Sequence, residues 1–318
     1  MTAPAPPPPS ALRHLQPADA AGALFAAATL GCTAAGVWLS TRPEALVWAA
    51  GQLVLAASLV EWFVILHECG HHTLFRRRAV NAIVGHLAGF FAVIPFGMWV
   101  HVHRSHHKWT GWQDLDPTTA ALAPRERTRL ERRIVSVCWK YWLPLFSIVY
   151  RLGNFWNPAR LARLESAHGT RARVVGGLLA NAAIYLGIAW WLGAAMTLRL
   201  TGVATLIAFA IEDVLIISQH THVPMELSGG RRVLPHRALE QAQYTRSLRL
   251  PGAVSRVLLH FDAHELHHMY PFVPGYRLRE VAFEPAHEVA WWRWVRAARA
   301  CPGDLLLFQT RRDTGFDV

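Results

Sequence analysis

The stretch that decides the fold is LVEWFVILHECGHHTLF, residues 59–75, in which an apolar run ends at a cluster of metal-binding side chains. His67, Glu68 and His71 follow one another in the order H-E-x-x-H, which zinc metalloproteases carry on a helix. Residues four apart share one face of an α-helix, so the two imidazoles can point at the same ion. The stretch predicts a membrane helix that ends at a metal site, and the protease interpretation depends on what the rest of the chain supplies.

The composition of the whole chain fits a membrane protein. The 318 residues are 53% hydrophobic, and apolar runs near 21–40, 45–66, 174–195 and 200–220 each approach the ~20 residues that cross a bilayer. We therefore predict an all-α membrane protein with four transmembrane helices. The proline-rich residues 1–20 are predicted to be a disordered tail, and residues 21–318 to be one membrane domain.

Two further apolar runs, 80–100 and 136–152, are nearly long enough to cross the bilayer. Crossing would place the histidine clusters that flank them on opposite faces of the membrane. Pro95, Gly97 and Pro144 favour broken or tilted segments, which a membrane protein tolerates where protein covers the freed backbone groups. We predict re-entrant or interfacial helices here, with two extra spans as the alternative.

The charges predict an orientation. The net charge of +11 comes largely from arginine-rich segments at 76–78, 125–133 and 160–173, which fall on one side of the four predicted spans. The excess of positive charge makes that side cytoplasmic, together with the histidine clusters and both termini. The high alanine and arginine content favours a bacterial inner membrane. The four cysteines form no C-x-x-C pair, and the sequence carries no nucleic-acid-binding motif.

Three more histidine clusters follow the first. The segments HRSHH at 103–107 and HELHH at 264–268 both have the spacing H-x-x-H-H, and QHTH at 219–222 ends the last predicted span. A zinc ion takes about four protein ligands, so eight or nine histidines indicate two ions, and imidazole-rich sites with open positions suit iron. In QHTH we favour His220 as a ligand because it extends the end of the span, with His222 as the alternative.

As a set, these clusters resemble the histidine boxes of the membrane fatty-acid desaturases, most closely the Δ12 acyl-lipid type. The resemblance covers roughly residues 60–280, although the last box reads HELHH where H-V-x-H-H is more usual. It implies a cytoplasmic histidine-rich cap, two Fe ions, O2 as co-substrate and an external electron donor of the ferredoxin or cytochrome type. The metal ligands that it implies are His67, His71, His103, His106, His107, His220, His264, His267 and His268.

Acidic residues near the boxes are candidates for orienting the ligand imidazoles through hydrogen bonds. The candidates are Glu68, Asp213, Asp262 and Glu265. Asp213 lies within a predicted span, where an ionisable group is costly and usually paired. Asp114 and Asp116 have either the same role or cap a turn before Pro117.

The sequence therefore predicts an O2-dependent di-iron desaturase that introduces a double bond into the acyl chain of a membrane lipid. One alternative is a related di-iron hydroxylase, ketolase or decarboxylase acting on an alkane, a carotenoid or a fatty acid. Another is a single-zinc intramembrane protease or a non-catalytic metal-binding membrane protein. No haem, flavin or nicotinamide motif is present, so we expect electrons to arrive from a carrier that docks on the basic surface.

Overall fold

The computed structural model describes residues 5–308, and helices dominate that part of the chain. The α-helices are α1 (Asp19–Ser40), α2 (Ala45–His71), α3 (Arg78–Phe91), α4 (Phe96–Trp109), α5 (Arg129–Lys140), α6 (Leu145–Asn154), α7 (Pro158–Leu164), α8 (His168–Leu192), α9 (Ala194–Thr197), α10 (Val203–His220), α11 (Gly252–Val257), α12 (His264–Met269), α13 (Trp291–Ala300) and α14 (Gly303–Phe308). Two short strands, β1 (Ser247–Arg249) and β2 (Glu288–Ala290), pair in parallel.

Four helical segments within residues 5–308 are long and apolar enough to cross a membrane. They are α1, α2, α8 and Ala194–His220, in which a π-helical stretch joins α9 to α10. This confirms the predicted all-α membrane class. The third span begins at His168 rather than near residue 174, because the arginines that follow His168 continue the helix.

The two remaining apolar runs are not straight spans. The run 80–100 contains the end of α3 and the start of α4, whose axes differ by 100° across a break that contains Pro95. The run 136–152 is divided between α5 and α6, of 12 and 10 residues, and each is too short to span the bilayer. Both runs thus have the interrupted form that the prolines predict.

The chain forms two compact units. The first, called here the span unit, comprises Pro17–Val102 and Phe146–Glu212 and holds most of the membrane-spanning helices. The second, called the histidine unit, comprises the chain up to Gln16, His103–Leu145 and the chain from Asp213 onward. The single membrane domain over 21–318 stays a prediction from sequence.

The core of the histidine unit lies beneath α12. Leu266 and Met269 of that helix are buried with Tyr270 in one hydrophobic cluster, which holds the histidines of α12 in place from below. The side chain of Glu265 accepts hydrogen bonds from the backbone N–H groups of Ser247 and His287, at 3.2 and 2.9 Å, and so ties α12 to the two-stranded sheet.

The proline-rich start differs from the predicted disordered tail. Pro9–Leu12 form a 3-10 helix, and Leu12 and Leu15 are buried in the cluster beneath α12. The hydroxyl of Tyr270 donates to the Pro7 carbonyl at 2.7 Å. Composition predicted disorder because proline dominates, but two leucines three residues apart are enough to anchor the segment on an apolar surface.

Replacing Leu15 with alanine is expected to lower the thermal stability of the protein. Leu15 is 1% exposed, and truncating a buried leucine typically costs about 2–5 kcal/mol. The melting temperature in detergent should fall clearly. Leu234→Ala is the matched control, because the Leu234 side chain is 84% exposed and its loss should leave the melting temperature within about 1 °C. Equal melting temperatures for Leu15→Ala and the control would show that the tail does not pack.

Candidate metal centre

Four imidazoles from three helices converge in the histidine unit. His106 comes from α4, His220 is the last residue of α10, and His264 and His268 lie one turn apart on α12. The Nε2 atoms of His220 and His264 are 2.8 Å apart, those of His264 and His268 are 3.0 Å apart, and those of His268 and His106 are 3.3 Å apart. All four nitrogens lie within 4.8 Å of one another, so one ion can reach every one.

These distances fit a shared metal ion. Two nitrogens that each lie about 2.1 Å from one ion are about 3.0 Å apart at a bond angle of 90° and about 3.4 Å apart at the tetrahedral angle. The observed separations of 3.0 and 3.3 Å lie within that range, and the separation of 2.8 Å lies just below it. Nitrogens pointing at one another make poor hydrogen bonds, since an acceptor lone pair is needed at one end of each contact. The donor set therefore suits a transition metal.

A second group of imidazoles lies beside the first within the same unit. The Nε2 atom of His107 is 3.0 Å from that of His103 and 3.0 Å from that of His267. The ring of His107 stacks on that of His268 at 4.4 Å between centroids, so the two groups are in direct contact. Both H-x-x-H-H boxes divide their histidines between the two groups, which is the arrangement that two neighbouring ions need.

The first histidine box ends α2 in the span unit. The rings of His67 and His71 are 5.0 Å apart, and Trp99 presents its ring edgewise to both, at 5.6 and 6.3 Å. Nδ1 of His67 lies 3.4 Å from Oε1 of Glu68, whose other oxygen accepts from Thr73 at 2.8 Å. Glu68 thus stands where a carboxylate that orients His67 is expected. His72, which follows His71, has a φ of 61° and caps the end of α2.

The shortest hydrogen bond of a histidine in the four-imidazole group runs from His106 to the carboxylate of Asp116. Its Oδ2 lies 2.7 Å from Nδ1 of His106, and its Oδ1 accepts from the backbone N–H and the hydroxyl of Thr118, both at 2.8 Å. Such a carboxylate fixes the tautomer with the proton on Nδ1 and leaves the Nε2 lone pair for a metal. Asp116 thus fits both alternatives at once, since one oxygen faces His106 and the other caps the turn at Thr118.

Gln241 has the same relation to His268. Its Oε1 lies 2.9 Å from Nδ1 of His268, and its side-chain N–H donates to the carbonyl of His107 at 2.7 Å. Burial lowers the pKa of His268 well below its usual value, and the neighbouring His107 and His264 add to that shift. His268 is therefore held as a neutral imidazole with Nε2 facing the group.

Asp114 holds the distant turn at Ser228 and Gly229, and not a histidine or the turn before Pro117. Its carboxylate accepts from the backbone N–H and hydroxyl of Ser228, at 2.9 and 2.6 Å, and from the N–H of Gly229 at 3.0 Å. Burial alone would raise the pKa of Asp114, but these hydrogen bonds outweigh it and hold the pKa below its usual value.

Two predicted orienting carboxylates have partners other than ligand imidazoles. Asp262 accepts from Ser255 at 2.7 Å and from Arg279 at 2.8 Å, and so joins two loops. Glu265 accepts backbone N–H groups, and burial raises its pKa to about 7. Both lie beside the box in sequence, but these hydrogen bonds go to groups outside it. Asp213 is buried in α10, and its orienting role stays a prediction.

The structure separates His220 from His222. Arg246 donates to the carbonyls of Ser218 and Thr221, at 2.8 and 2.9 Å, and so caps the last turn of α10, where His220 faces the four-imidazole group. His222 has a φ of 52°, and its Nε2 lies 2.9 Å from the carbonyl of Leu305. The geometry therefore favours His220 as the further ligand.

The pair of variants His220→Ala and His222→Ala tests this assignment. We expect His220→Ala to lose bound metal, because one of four converging nitrogens is removed. His222→Ala should keep the metal content of the parent and show only a lower melting temperature, since it loses a contact to a backbone carbonyl. Elemental analysis of the two purified variants makes the comparison, and loss of metal from His222→Ala alone would reverse the assignment.

Nothing in the sequence marked Gln241 as a partner of a histidine. It lies in a 3-10 helix, Ala238–Tyr244, outside every box and without helical periodicity. Trp99 was likewise no candidate for a role beside the first box. For Asp116, the available signal was an acidic residue ten positions after His106 and directly before a proline, a pattern that also fits an ordinary turn.

The chain is similar in sequence to known fatty acid desaturases. The family model described as "Fatty acid desaturase" matches residues 43–295. An sn-1 oleoyl-lipid 12-desaturase of Picosynechococcus sp. is 36% identical over 104 residues, covering 32% of this chain and 28% of the relative. A fatty acid desaturase of Bacillus subtilis is 28% identical over 259 residues, 78% of this chain and 72% of the relative. An endoplasmic-reticulum omega-3 fatty acid desaturase of Vigna radiata is 25% identical over 236 residues, 69% of this chain and 59% of the relative. The chain thus spans less than two thirds of the Vigna and Picosynechococcus proteins.

Proposed function

Because the chain belongs to the fatty acid desaturase family, we propose that it is an O2-dependent di-iron enzyme that introduces a double bond into an unactivated acyl chain of a membrane lipid. The observation that carries this proposal is the pair of adjacent imidazole groups in the histidine unit. One group is His106, His220, His264 and His268, and the other is His103, His107 and His267. A single zinc ion takes about four protein ligands, fewer than these seven nitrogens.

We assign the first group to one iron and the second group to the other. The family resemblance adds His67 and His71 to the proposed metal ligands, which gives nine histidines in all. Imidazole ligands with open coordination positions suit non-haem iron, because a small molecule such as O2 needs a position that protein does not occupy. The chemistry that a bound iron pair supplies is activation of O2, so that hydrogen can be removed from an unactivated alkyl carbon.

The residues of this chain contribute by keeping the ligands neutral and fixed. Asp116 and Gln241 each accept a hydrogen bond from Nδ1–H of a histidine that we propose as a ligand, which keeps Nε2 of His106 and of His268 available. Burial works in the same direction, because it disfavours imidazolium. Fixed ligand orientations would hold the bound ions in one place relative to the methylene group of the substrate.

A hydrocarbon substrate is consistent with an apolar cavity in the span unit. The cavity has a volume of about 250 Å³, and its walls include Phe96 and Val100 of α4 and Val174 and Leu178 of α8. These four side chains suit methylene groups, and polar side chains, among them His86, Arg173 and Asn181, line the rest of the cavity. The cavity supports a lipid as the substrate class.

Electrons must come from a separate protein. We propose a ferredoxin or a cytochrome-type donor. The name of one relative, an sn-2 acyl-lipid omega-3 desaturase (ferredoxin) of Arabidopsis thaliana, includes ferredoxin. Such carriers are commonly acidic, and the segment 125–133 places five arginines on the histidine unit. We propose that this surface and the histidine boxes face the cytoplasm of a bacterial inner membrane.

The test is the lipid profile of a host with known fatty acids, with and without the protein. We expect new unsaturated acyl chains, detected by mass spectrometry, and none in cells that express His106→Ala at the same level. Hydroxylated, ketonic or shortened products would instead identify the related oxidases of the same metal class. An unchanged lipid profile with verified iron-loaded protein would overturn the proposal.

A further inference from the structure

The break between α3 and α4, residues 92–95, is held by side chains from elsewhere in the span unit. Val93 in this break has a φ of 56°, a left-handed conformation that is strongly disfavoured for a β-branched residue. Such strain persists only where the surrounding structure imposes it. Gly89 allows the tight turn, because a Cβ at this position would lie 2.5 Å from the carbonyl oxygen of Ile94.

Three carbonyls at the break receive hydrogen bonds from three different side chains. The hydroxyl of Tyr185 donates to the carbonyl of Phe90 at 2.6 Å, and the indole N–H of Trp156 donates to the carbonyl of Val93 at 3.0 Å. Nε of Arg151 donates to the carbonyl of Ala92 at 3.2 Å. Backbone carbonyls that have no helical partner within a membrane must be hydrogen-bonded by other protein groups. The three side chains supply these hydrogen bonds and so stabilise the break.

Arg151 is the centre of this arrangement. It is 3% exposed, forms an ion pair with Glu212, which is 1% exposed, and lies 3.9 Å above the ring of Phe209. Its NH1 also donates to the carbonyl of Ser147 at 3.4 Å. One guanidinium therefore connects α6, α10 and the end of α3, which a planar fork of donors can do and an ammonium group cannot.

The break fixes the start of α4, and the first turn of α4 touches the first histidine box. Trp99 is four residues after Pro95, and its backbone N–H donates to the Pro95 carbonyl at 3.0 Å. Its ring lies edgewise against His67 and His71. The fit leaves no room for adjustment, because a Cβ on Gly70 would lie 1.9 Å from the Trp99 ring. Any shift of the break moves this ring against the two imidazoles.

We propose that Arg151 is a positioning residue for the first histidine box. By holding the Ala92 carbonyl it fixes the break, and through Trp99 it fixes the orientation of His67 and His71 on α2. The inference rests on the proposed function, in which these two histidines bind iron. It assigns a role in the metal centre to a buried ion pair that lies outside every histidine box.

The test compares Arg151→Lys with Gln52→Leu for iron retention. Lysine keeps a positive charge beside Glu212 but loses the second arm of the fork. Gln52 is a matched control in the span unit: it is 1% exposed, donates to the Leu200 carbonyl at 2.8 Å and accepts from the N–H of Ala204, but does not contact the break. We expect Arg151→Lys to release iron to a chelator about tenfold faster than the parent, with desaturation reduced by a similar factor. Gln52→Leu should have a lower melting temperature but the iron release of the parent.

Tyr185→Phe is the second variant, because it removes one hydroxyl and little else. If Arg151→Lys does not fold, Tyr185→Phe decides, with faster iron release expected in the same direction. Iron release at the parental rate from a folded Arg151→Lys or, failing that, from Tyr185→Phe would overturn the inference. Release that rises equally in Gln52→Leu would do the same, since the effect would then be general loosening. A parent protein that holds no iron would instead contradict the proposed function itself.

Discussion

Replacing His268 with alanine is expected to remove iron from the protein and to abolish desaturation. His268 is fully buried, and its Nε2 faces those of His106 and His264 at 3.3 and 3.0 Å. Alanine removes one of the four imidazoles proposed as ligands and also the ring that stacks on His107, so both imidazole groups lose a packing contact. Removing the hydrogen-bond partner of a metal ligand typically lowers metal affinity or activity by about 10–100-fold. Removing the imidazole itself should lower both by more than this. Iron per chain and conversion of host lipids are the two measurements.

The matched control for this variant is His260→Asn. His260 lies eight residues before His268, and its Nδ1 contacts the hydroxyl of Ser255 at 2.8 Å. Asparagine tolerates the φ of 53° at this position and can keep a hydrogen bond to Ser255. We expect the control to keep its iron and at least half of the parental activity. A His268→Ala protein with the full iron content and activity of the parent would show that the four-imidazole group is not the metal site.

Replacing Asp116 with asparagine is expected to lower iron affinity and activity by about 10–100-fold. Both oxygens of Asp116 accept hydrogen bonds, one from Nδ1–H of His106 and the other from the backbone N–H of Thr118. An amide has only one acceptor oxygen, so either the imidazole or Thr118 must lose its partner. Loss at the imidazole frees the ring to rotate and removes the preference for the tautomer that binds metal. The measurement is iron release to a chelator, together with the rate of desaturation.

Asp114→Asn is the matched control, two residues away and with the same chemical change. Asp114 holds the turn at Ser228 and Gly229, so we expect a lower melting temperature with unchanged iron release. The opposite pattern, with fast iron release from Asp114→Asn and normal release from Asp116→Asn, would exchange the roles given to the two carboxylates.

Much of the fold followed from local pattern in the sequence. The four long helices were predictable because each is an apolar run of bilayer length, and the break after α3 was predictable from Pro95. The anchored start of the chain was not, because the partners of Leu12 and Leu15 lie more than 240 residues away, around Leu266 and Tyr270. Composition describes a segment by itself and says nothing about a distant surface on which it can pack.

The same distinction applies to the site. Spacing of three and four residues predicts which histidines share a helix face, and the structure brings together His264 and His268 as that rule requires. The partners of the imidazoles were harder to predict, because they depend on tertiary contacts. Asp262 and Glu265 are next to the box yet bind elsewhere, whereas Gln241 reaches His268 from a segment with no motif. Nearness in sequence was therefore a poor guide to which groups orient a ligand.

The most direct test of the two-ion centre is elemental analysis of the protein purified without chelators from cells supplied with iron. We predict about two iron atoms per chain and little zinc, since two adjacent imidazole groups share the histidines of both H-x-x-H-H boxes. One zinc per chain and no iron would contradict the account and return His67, Glu68 and His71 to the single-zinc interpretation.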